Sequence, residues 1–184
     1  PQQVFNALTK EAEKHGHKII SASASEGTLG KEHLMELLTL VDKSKYVFVL
    51  ETNGITLGHD IEYARSLSKF RNLHVRVSIK GTNKREYNTL TGAESNSYEL
   101  PFKALKNLID FNISCNACLM ISFSTQKNID EAKKKLSNVW PGLLKSLELE
   151  HITLFPKVAS RLKNADLMPL TFRHGGKIKR FKED

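Results

Sequence analysis

Tyr46-Val47-Phe48-Val49-Leu50-Glu51-Thr52-Asn53-Gly54 and, further on, Leu73-His74-Val75-Arg76-Val77-Ser78-Ile79-Lys80-Gly81 decide the fold. The first is a near-continuous apolar run that ends in a polar cluster, the mark of a parallel strand covered on both faces. The second alternates strictly, so Arg76, Ser78 and Lys80 share one face and Val75, Val77 and Ile79 the other. A helix from about Asp60 to Lys69 separates them, and a helix Leu100 to Phe111 leads into a third strand, Ile113 to Phe123. Strands alternating with helices argue for right-handed βαβ units and a parallel sheet. Polar residues at the carboxyl ends of such strands are where α/β enzymes keep their chemistry, and in a barrel the polar face of Arg76, Ser78 and Lys80 points inward.

Upstream, Val4, Leu8 and Ala12 recur at four-residue spacing on a helix that stops at His15-Gly16, where glycine can adopt the left-handed cap. His17 to Ala22 makes a short strand, and Glu26-Gly27-Thr28-Leu29-Gly30 turns into a helix with Leu34, Leu37, Leu38 and Val41 on one side. No strand precedes the first helix. The strand at His17 is then an unpaired apolar edge, which natural sheets rarely leave uncovered, and residues upstream of Pro1 would supply its neighbour.

Downstream, a polar loop from Gly81 to Ser97 is long enough to cover a site. A helix from about Asn128 to Leu147, bent at Pro141-Gly142, precedes a last strand, Ile152-Thr153-Leu154-Phe155. The expectation is an α/β fold of five strands, a partial (βα) TIM-type barrel with parallel strands that lacks its first strand. It occupies residues 1–162, and a basic extension of weak periodicity follows at residues 163–184.

A chain of 184 residues, 40% hydrophobic and 26% charged, can bury a core as one domain. No apolar run approaches the roughly 20 residues of a membrane span, and the start shows no signal or transit peptide. Together with only two cysteines, Cys115 and Cys118, this points to a reducing, cytoplasmic location. The net charge of +8 suits a polyanionic partner in principle. Much of it lies in Lys133-Lys134-Lys135, on the polar side of a helix, and in the tail Lys177 to Lys182. That distribution argues against a dedicated nucleic-acid surface.

Among candidate sites, Cys115 and Cys118 sit three apart on a strand and project to opposite faces, so they cannot share a metal. His17, His74 and His151 are read at strand beginnings, away from the polar rim, and His59 at the start of a helix. Lys80 stands out at the carboxyl end of its strand, in line with Ser78 and Arg76. There a cation can bind a carboxylate or phosphate, or form a Schiff base. Its plain alternative is a salt bridge to Glu51 on the neighbouring strand.

Four segments resemble the radical S-adenosylmethionine (SAM) enzymes, in particular the group of pyruvate formate-lyase activating enzyme and its archaeal relatives. They are Ser23-Ala24-Ser25-Glu26-Gly27-Thr28-Leu29-Gly30, Glu51-Thr52-Asn53-Gly54, Val77-Ser78-Ile79-Lys80-Gly81-Thr82-Asn83 and Tyr87-Asn88-Thr89-Leu90-Thr91-Gly92-Ala93. The resemblance places the first where the family has a Gly-Gly-Glu-Pro turn whose backbone holds the amino group of the cofactor. Ala24, Ser25 and Gly27 replace Gly, Gly and Pro there, and Glu26 matches. Thr52, Asn53 and Gly54 line the cofactor side in the family, and Ser78 and Lys80 lie on the strand that meets ribose and carboxylate.

What the resemblance implies is a SAM site formed by Ser23, Ala24, Ser25, Glu26, Glu51, Thr52, Asn53, Arg76, Ser78 and Lys80. It also implies a [4Fe-4S] cluster, but the family's CxxxCxxC loop would fall before Pro1, so no metal ligand is expected within this chain. With that loop, the enzyme would cleave SAM reductively to a 5′-deoxyadenosyl radical, an iron-sulfur oxidoreductase reaction fed by an external electron donor. Its substrate is not readable and could be a protein, activation of a glycyl radical protein being one outcome. No catalytic residue is singled out. Two alternatives stand beside it: a cluster-independent barrel enzyme that uses Lys80, and a noncatalytic module that binds through its basic tail.

Overall fold

The computed structural model describes residues 1–23 and 25–181. Five strands, β1 (Ile19–Ser21), β2 (Val47–Thr52), β3 (Leu73–Lys80), β4 (Cys115–Met120) and β5 (Glu148–Glu150), hydrogen-bond in that order in one parallel sheet. Helices connect them, which makes this an α/β fold of the partial TIM-type barrel kind, as the alternation in the sequence implies. The chain divides into two compact units, Pro1–Ser78 with Glu99–Ala117, and Ile79–Tyr98 with Cys118–Asp184.

The first unit holds α1 (Gln2–Lys14), α2 (Lys31–Asp42), α3 (Ile55–His59) and α4 (Ile61–Ser66). Helix α1 buries Ala12 and is followed by Gly16 at φ 67°. Helix α2 buries Leu34, Leu37, Leu38 and Val41, the four residues of its apolar side. On β2, Phe48 and Leu50 are buried, and on β3 Val75 and Val77 are fully so. β1 is an edge strand whose Ile19 is 63% exposed. Gly54 adopts φ 75°, and a Cβ there would lie 2.9 Å from Val77 and 3.0 Å from the Pro101 Cα, so only glycine fits this turn.

The helix expected from about Asp60 to Lys69 is α4 with the 3-10 turn after it, and a further short helix, α3, precedes it. α3 ends at His59, and Asp60 then caps α4 by accepting a 2.9 Å hydrogen bond from the Tyr63 N–H. His59 therefore closes a helix rather than opening one. A 3-10 turn, Leu67–Lys69, completes the segment. The third expected strand is shorter than read, at Cys115–Met120.

In the second unit, the supposed loop after β3 contains α5 (Lys84–Thr91), begun by Asn83, whose side chain accepts from the Glu86 N–H. α6 (Leu100–Asp110), in the first unit, follows a 3-10 stretch, Ser95–Glu99. α7 spans Gln126–Val139 and stops rather than bends, because Trp140 precedes Pro141 and is extended at φ −166°. Pro141–Lys145 is a separate 3-10 turn.

The last strand of the sheet is Glu148–Glu150, not Ile152–Phe155. The Ile152 N–H is taken by the Ser122 hydroxyl at 2.7 Å, Thr153 makes only an isolated bridge to Arg173, and Phe155 leads into α8 (Pro156–Asn164). As an edge strand, β5 tolerates an exposed Glu148 that an inner strand would not. The segment of weak periodicity ends in an antiparallel hairpin, β6 (Thr171–His174) with β7 (Lys177–Arg180). Gly175 and Gly176, at φ 56° and 76°, form its two-residue turn.

Candidate functional site

Register builds a polar surface on one face of the first unit's strands. Ser21 lies opposite Val49 and Val49 opposite His74, while Glu51 lies opposite Arg76. Side chains in register on a parallel sheet project to one side, so Ser21, Val49, Glu51, His74, Arg76 and Ser78 share that face. The other face carries Phe48, Leu50, Val75 and Val77, all buried.

Charges and rings on the polar face are mostly paired. Arg76 Nη1 stands 3.7 Å from Glu51 Oε1. His74 sits between the Ser114 hydroxyl, 2.8 Å from Nδ1, and Asn116 Oδ1, 2.9 Å from Nε2. Two hydroxyls differ. The Oγ atoms of Ser21 and Ser78 are buried and have no hydrogen-bond partner among the described residues. An unpaired buried hydroxyl costs about 1–3 kcal/mol, so both are poised for a polar partner.

At the carboxyl ends of β1 and β2, Glu26 joins two turns. Its Oε1 accepts 2.7 Å hydrogen bonds from the hydroxyls of Thr28 and Thr52, and its Oε2 accepts one of 2.7 Å from the Asn53 N–H. Thr52 in turn accepts from the Gly54 N–H at 3.1 Å, and Asn53 Oδ1 from the Ile55 N–H at 2.9 Å. Ser23 and Ser25 are exposed on the first of these turns, and Ala24 lies outside the described residues. Ser25 and Glu26 also border a pocket of about 270 Å³ with Val4, His33, Leu34 and Leu50. Tyr63 is pushed up to about 12 by burial, with the charges of Glu26 and Asp60 adding to the shift.

Lys80 belongs to the second unit. Its partner is Glu150 on β5, at 3.6 Å, not Glu51. The reason is register, since Glu51 lies opposite Arg76 and is engaged there. The second unit has its own acid at a turn. Glu86 accepts hydrogen bonds from the Ser124 hydroxyl at 2.6 Å, the Thr82 N–H at 2.8 Å, and the side-chain amides of Asn83 and Asn128 at 2.9 and 3.0 Å. Burial works to raise its pKa, but these bonds outweigh it and hold the carboxyl below the usual carboxylate value.

His151 follows β5 instead of beginning a strand. It borders a cavity of about 650 Å³ with Ser124, Gln126, Ile129, Thr171 and Arg180. Its Nδ1 lies 2.9 Å from the Thr171 hydroxyl, and burial followed by the Arg173 charge lowers its pKa. This cluster escaped the sequence reading, although Gly175-Gly176 between two alternating segments was the signal for the hairpin that brings Thr171 and Arg180 there.

No group of three or more His, Cys, Asp or Glu residues among those described is placed to hold a metal. Cys115 and Cys118 form no disulfide, and burial pushes the Cys115 thiol up to about 11, away from the thiolate a metal or cluster requires. No helix of the described residues is long and apolar enough to cross a membrane.

No family model matches the sequence, and no curated protein matches it. Solved structures do. Native anSMEcpe with bound AdoMet, a radical SAM anaerobic sulfatase-maturating enzyme, is 18% identical with a TM-score of 0.57, over 90% of this chain and 50% of that one. Native anSMEcpe with bound AdoMet and the Kp18Cys peptide is 21% identical with a TM-score of 0.52, over 80% and 45%. At these identities the likeness establishes the fold alone, a partial TIM-type barrel, and the chain spans about half the length of the structures it matches. The narrower resemblance to pyruvate formate-lyase activating enzyme has no counterpart in these matches.

Proposed function

We propose that this chain is the SAM-binding part of a radical S-adenosylmethionine enzyme. The observation that carries the proposal is the pair of buried, unpartnered hydroxyls, Ser21 and Ser78, on the polar face of a sheet whose solved neighbours hold AdoMet. SAM brings ribose hydroxyls and a carboxylate, groups that can satisfy both. In the first unit, the backbone of Ser23 to Ser25 would receive the amino group, Glu26, Thr52 and Asn53 would shape the turns around it, and Ser78 would meet ribose or carboxylate. Arg76, already against Glu51, would add a cation to that face. Lys80 belongs to the second unit, where it pairs with Glu150, so the proposal rests on the first unit's residues alone.

A [4Fe-4S] cluster does not fit the residues described. Cys115 and Cys118 project from opposite sides of β4, and the sequence of 184 residues holds no third cysteine. The proposal for residues 1–184 therefore stops at SAM binding. Reductive cleavage of SAM, with an external electron donor, belongs to it only for a protein that also carries a CxxxCxxC loop. The peptide held by a solved neighbour supports a peptide or protein as the substrate of that whole enzyme.

Calorimetric titration of the purified protein with SAM tests the reading directly. Saturable binding of one equivalent is expected. Absence of heat and of any SAM-dependent rise in melting temperature would remove it.

A further inference from the structure

We infer that the cavity of about 650 Å³ in the second unit is a binding site for a small organic anion, a carboxylate carried on an apolar body. It shares no residue with the SAM-binding reading, which rests on the first unit. Its volume is that of a small-ligand pocket, and its walls are of two kinds. Ile121 and Ile129 supply apolar surface from the body of the unit, and Ile178 and Phe181, 56% and 41% exposed, supply it from the hairpin and its base. Arg180 borders the same space, and its guanidinium has no ion pair among the described residues. No Asp or Glu among those residues lines the cavity, and Asp130, further along α7, already accepts from the Gln126 amide at 2.9 Å. An unpaired guanidinium beside apolar walls is complementary to a carboxylate on an apolar body.

The hairpin wall is fastened to the unit. The Thr171 N–H donates to the Ser122 carbonyl at 3.0 Å, the Arg173 N–H to the Ile152 carbonyl at 2.8 Å, and the Phe181 N–H closes the hairpin base on the Leu170 carbonyl at 3.0 Å. Because the Ser122 hydroxyl also accepts from the Ile152 N–H, one turn after β4 holds both the hairpin and the segment after β5. A wall held in this way costs a ligand little ordering free energy. His151 is oriented by the same construction. Its Nδ1 meets the Thr171 hydroxyl at 2.9 Å, which leaves Nε2 without a partner among the described residues. With the hydroxyl donating, Nε2 carries the proton and can donate to a carboxylate oxygen. Glu150 pairs with Lys80 and lies opposite Met120, so the next residues, Ile121 and His151, project to the other face of the sheet. The cavity therefore lies on the side covered by α7, away from Lys80.

The probe is 1-naphthylacetate, with 1-naphthylacetamide as its uncharged counterpart, each titrated into the whole chain and followed by NMR. The acid binds saturably and shifts the His151 ring and the backbone N–H signals of Ile129 and Thr171. The neutral compound binds about tenfold more weakly, because it lacks the charge that Arg180 meets. Arg180→Gln lowers the affinity for the acid to that of the neutral compound and leaves the latter unchanged. Lys177→Gln, on the same exposed strand but outside the cavity, changes neither. Absence of saturable binding overturns the inference, and so does equal affinity for the two compounds. A loss in Lys177→Gln as large as that in Arg180→Gln overturns it too, since the effect is then one of overall charge. Shifts confined to other residues, or displacement of the probe by SAM, put the probe elsewhere and have the same consequence.

Discussion

The Ser124 hydroxyl donates a 2.6 Å hydrogen bond to the Glu86 carboxylate, and through it the end of β4 is fastened to the turn that begins α5. Glu86 performs two tasks at once. As the third residue after the Asn83 cap it closes a reciprocal pair, accepting from the Asn83 side-chain amide while Asn83 Oδ1 accepts from the Glu86 N–H. As an acceptor for Thr82, Ser124 and Asn128 it collects donors from outside its helix.

Replacement of Glu86 by alanine leaves these donors without an acceptor and costs about 2 kcal/mol, read as a shift of the denaturation midpoint at pH 7. The pH dependence follows from the sign of the shift. The folded pKa lies below the ordinary glutamate value of 4.5, so the contribution of this carboxylate is present above pH 4.5 and is lost as pH falls through the folded value. The parent loses stability over that range, and Glu86→Gln, already weakened, loses less. Parallel acid limbs for the two proteins would show that Glu86 is not the group involved.

His151 gives a second pH handle. Burial first, and the Arg173 charge second, place its folded pKa below 6.5, so its contribution is present above pH 6.5 and is lost as pH falls through the folded pKa. NMR titration of the imidazole in Arg173→Gln moves its pKa up, though not the whole way, because burial remains. An unmoved titration would mean that the guanidinium does not act on this ring.

Gly58 is held in a place with no room for a side chain. A Cβ there would lie 2.8 Å from the carbonyl carbon of Leu100 and 3.1 Å from its Cα, backbone atoms that cannot step aside. Gly58→Ala forces α3 from the start of α6 and costs about 2–3 kcal/mol, measured by chemical denaturation. Gly92→Ala is the control. Open space surrounds that position, and only its φ of 71° penalises the change.

How far the sequence carries can be seen residue by residue. Leu73 to Lys80 alternates without a break, and the structure repeats that alternation in burial along the whole of β3. The four residues that α2 buries were equally plain, because a helix period needs no partner to be read. Pairings were not legible. That Glu51 meets Arg76, and Lys80 meets Glu150, depends on register between strands, which local pattern does not encode. Ile152 to Phe155 has the composition of a strand but follows the edge strand, and Ser122 takes its backbone. Glu26 was singled out by resemblance to a turn, yet its reach to Thr52 and Asn53 requires two turns distant in sequence to come together.

Ser78 separates the cost of an empty site from its use. Its hydroxyl is buried without a partner among the described residues, so Ser78→Ala removes an unsatisfied group and loses no hydrogen bond in the ligand-free protein. The variant is as stable as the parent or up to about 1 kcal/mol more stable. If SAM supplies the missing partner, the same change weakens SAM binding by about 1–1.5 kcal/mol, roughly fivefold to tenfold in Kd, because a ligand oxygen then loses its donor. Stability and affinity moving in opposite directions is a signature that a structural serine does not produce. Denaturant midpoints and calorimetric Kd values, taken on the same preparations, measure both. A destabilised Ser78→Ala protein with unaltered SAM affinity would mean that the hydroxyl serves the fold, and the SAM site would then have to be sought away from the polar face of β3.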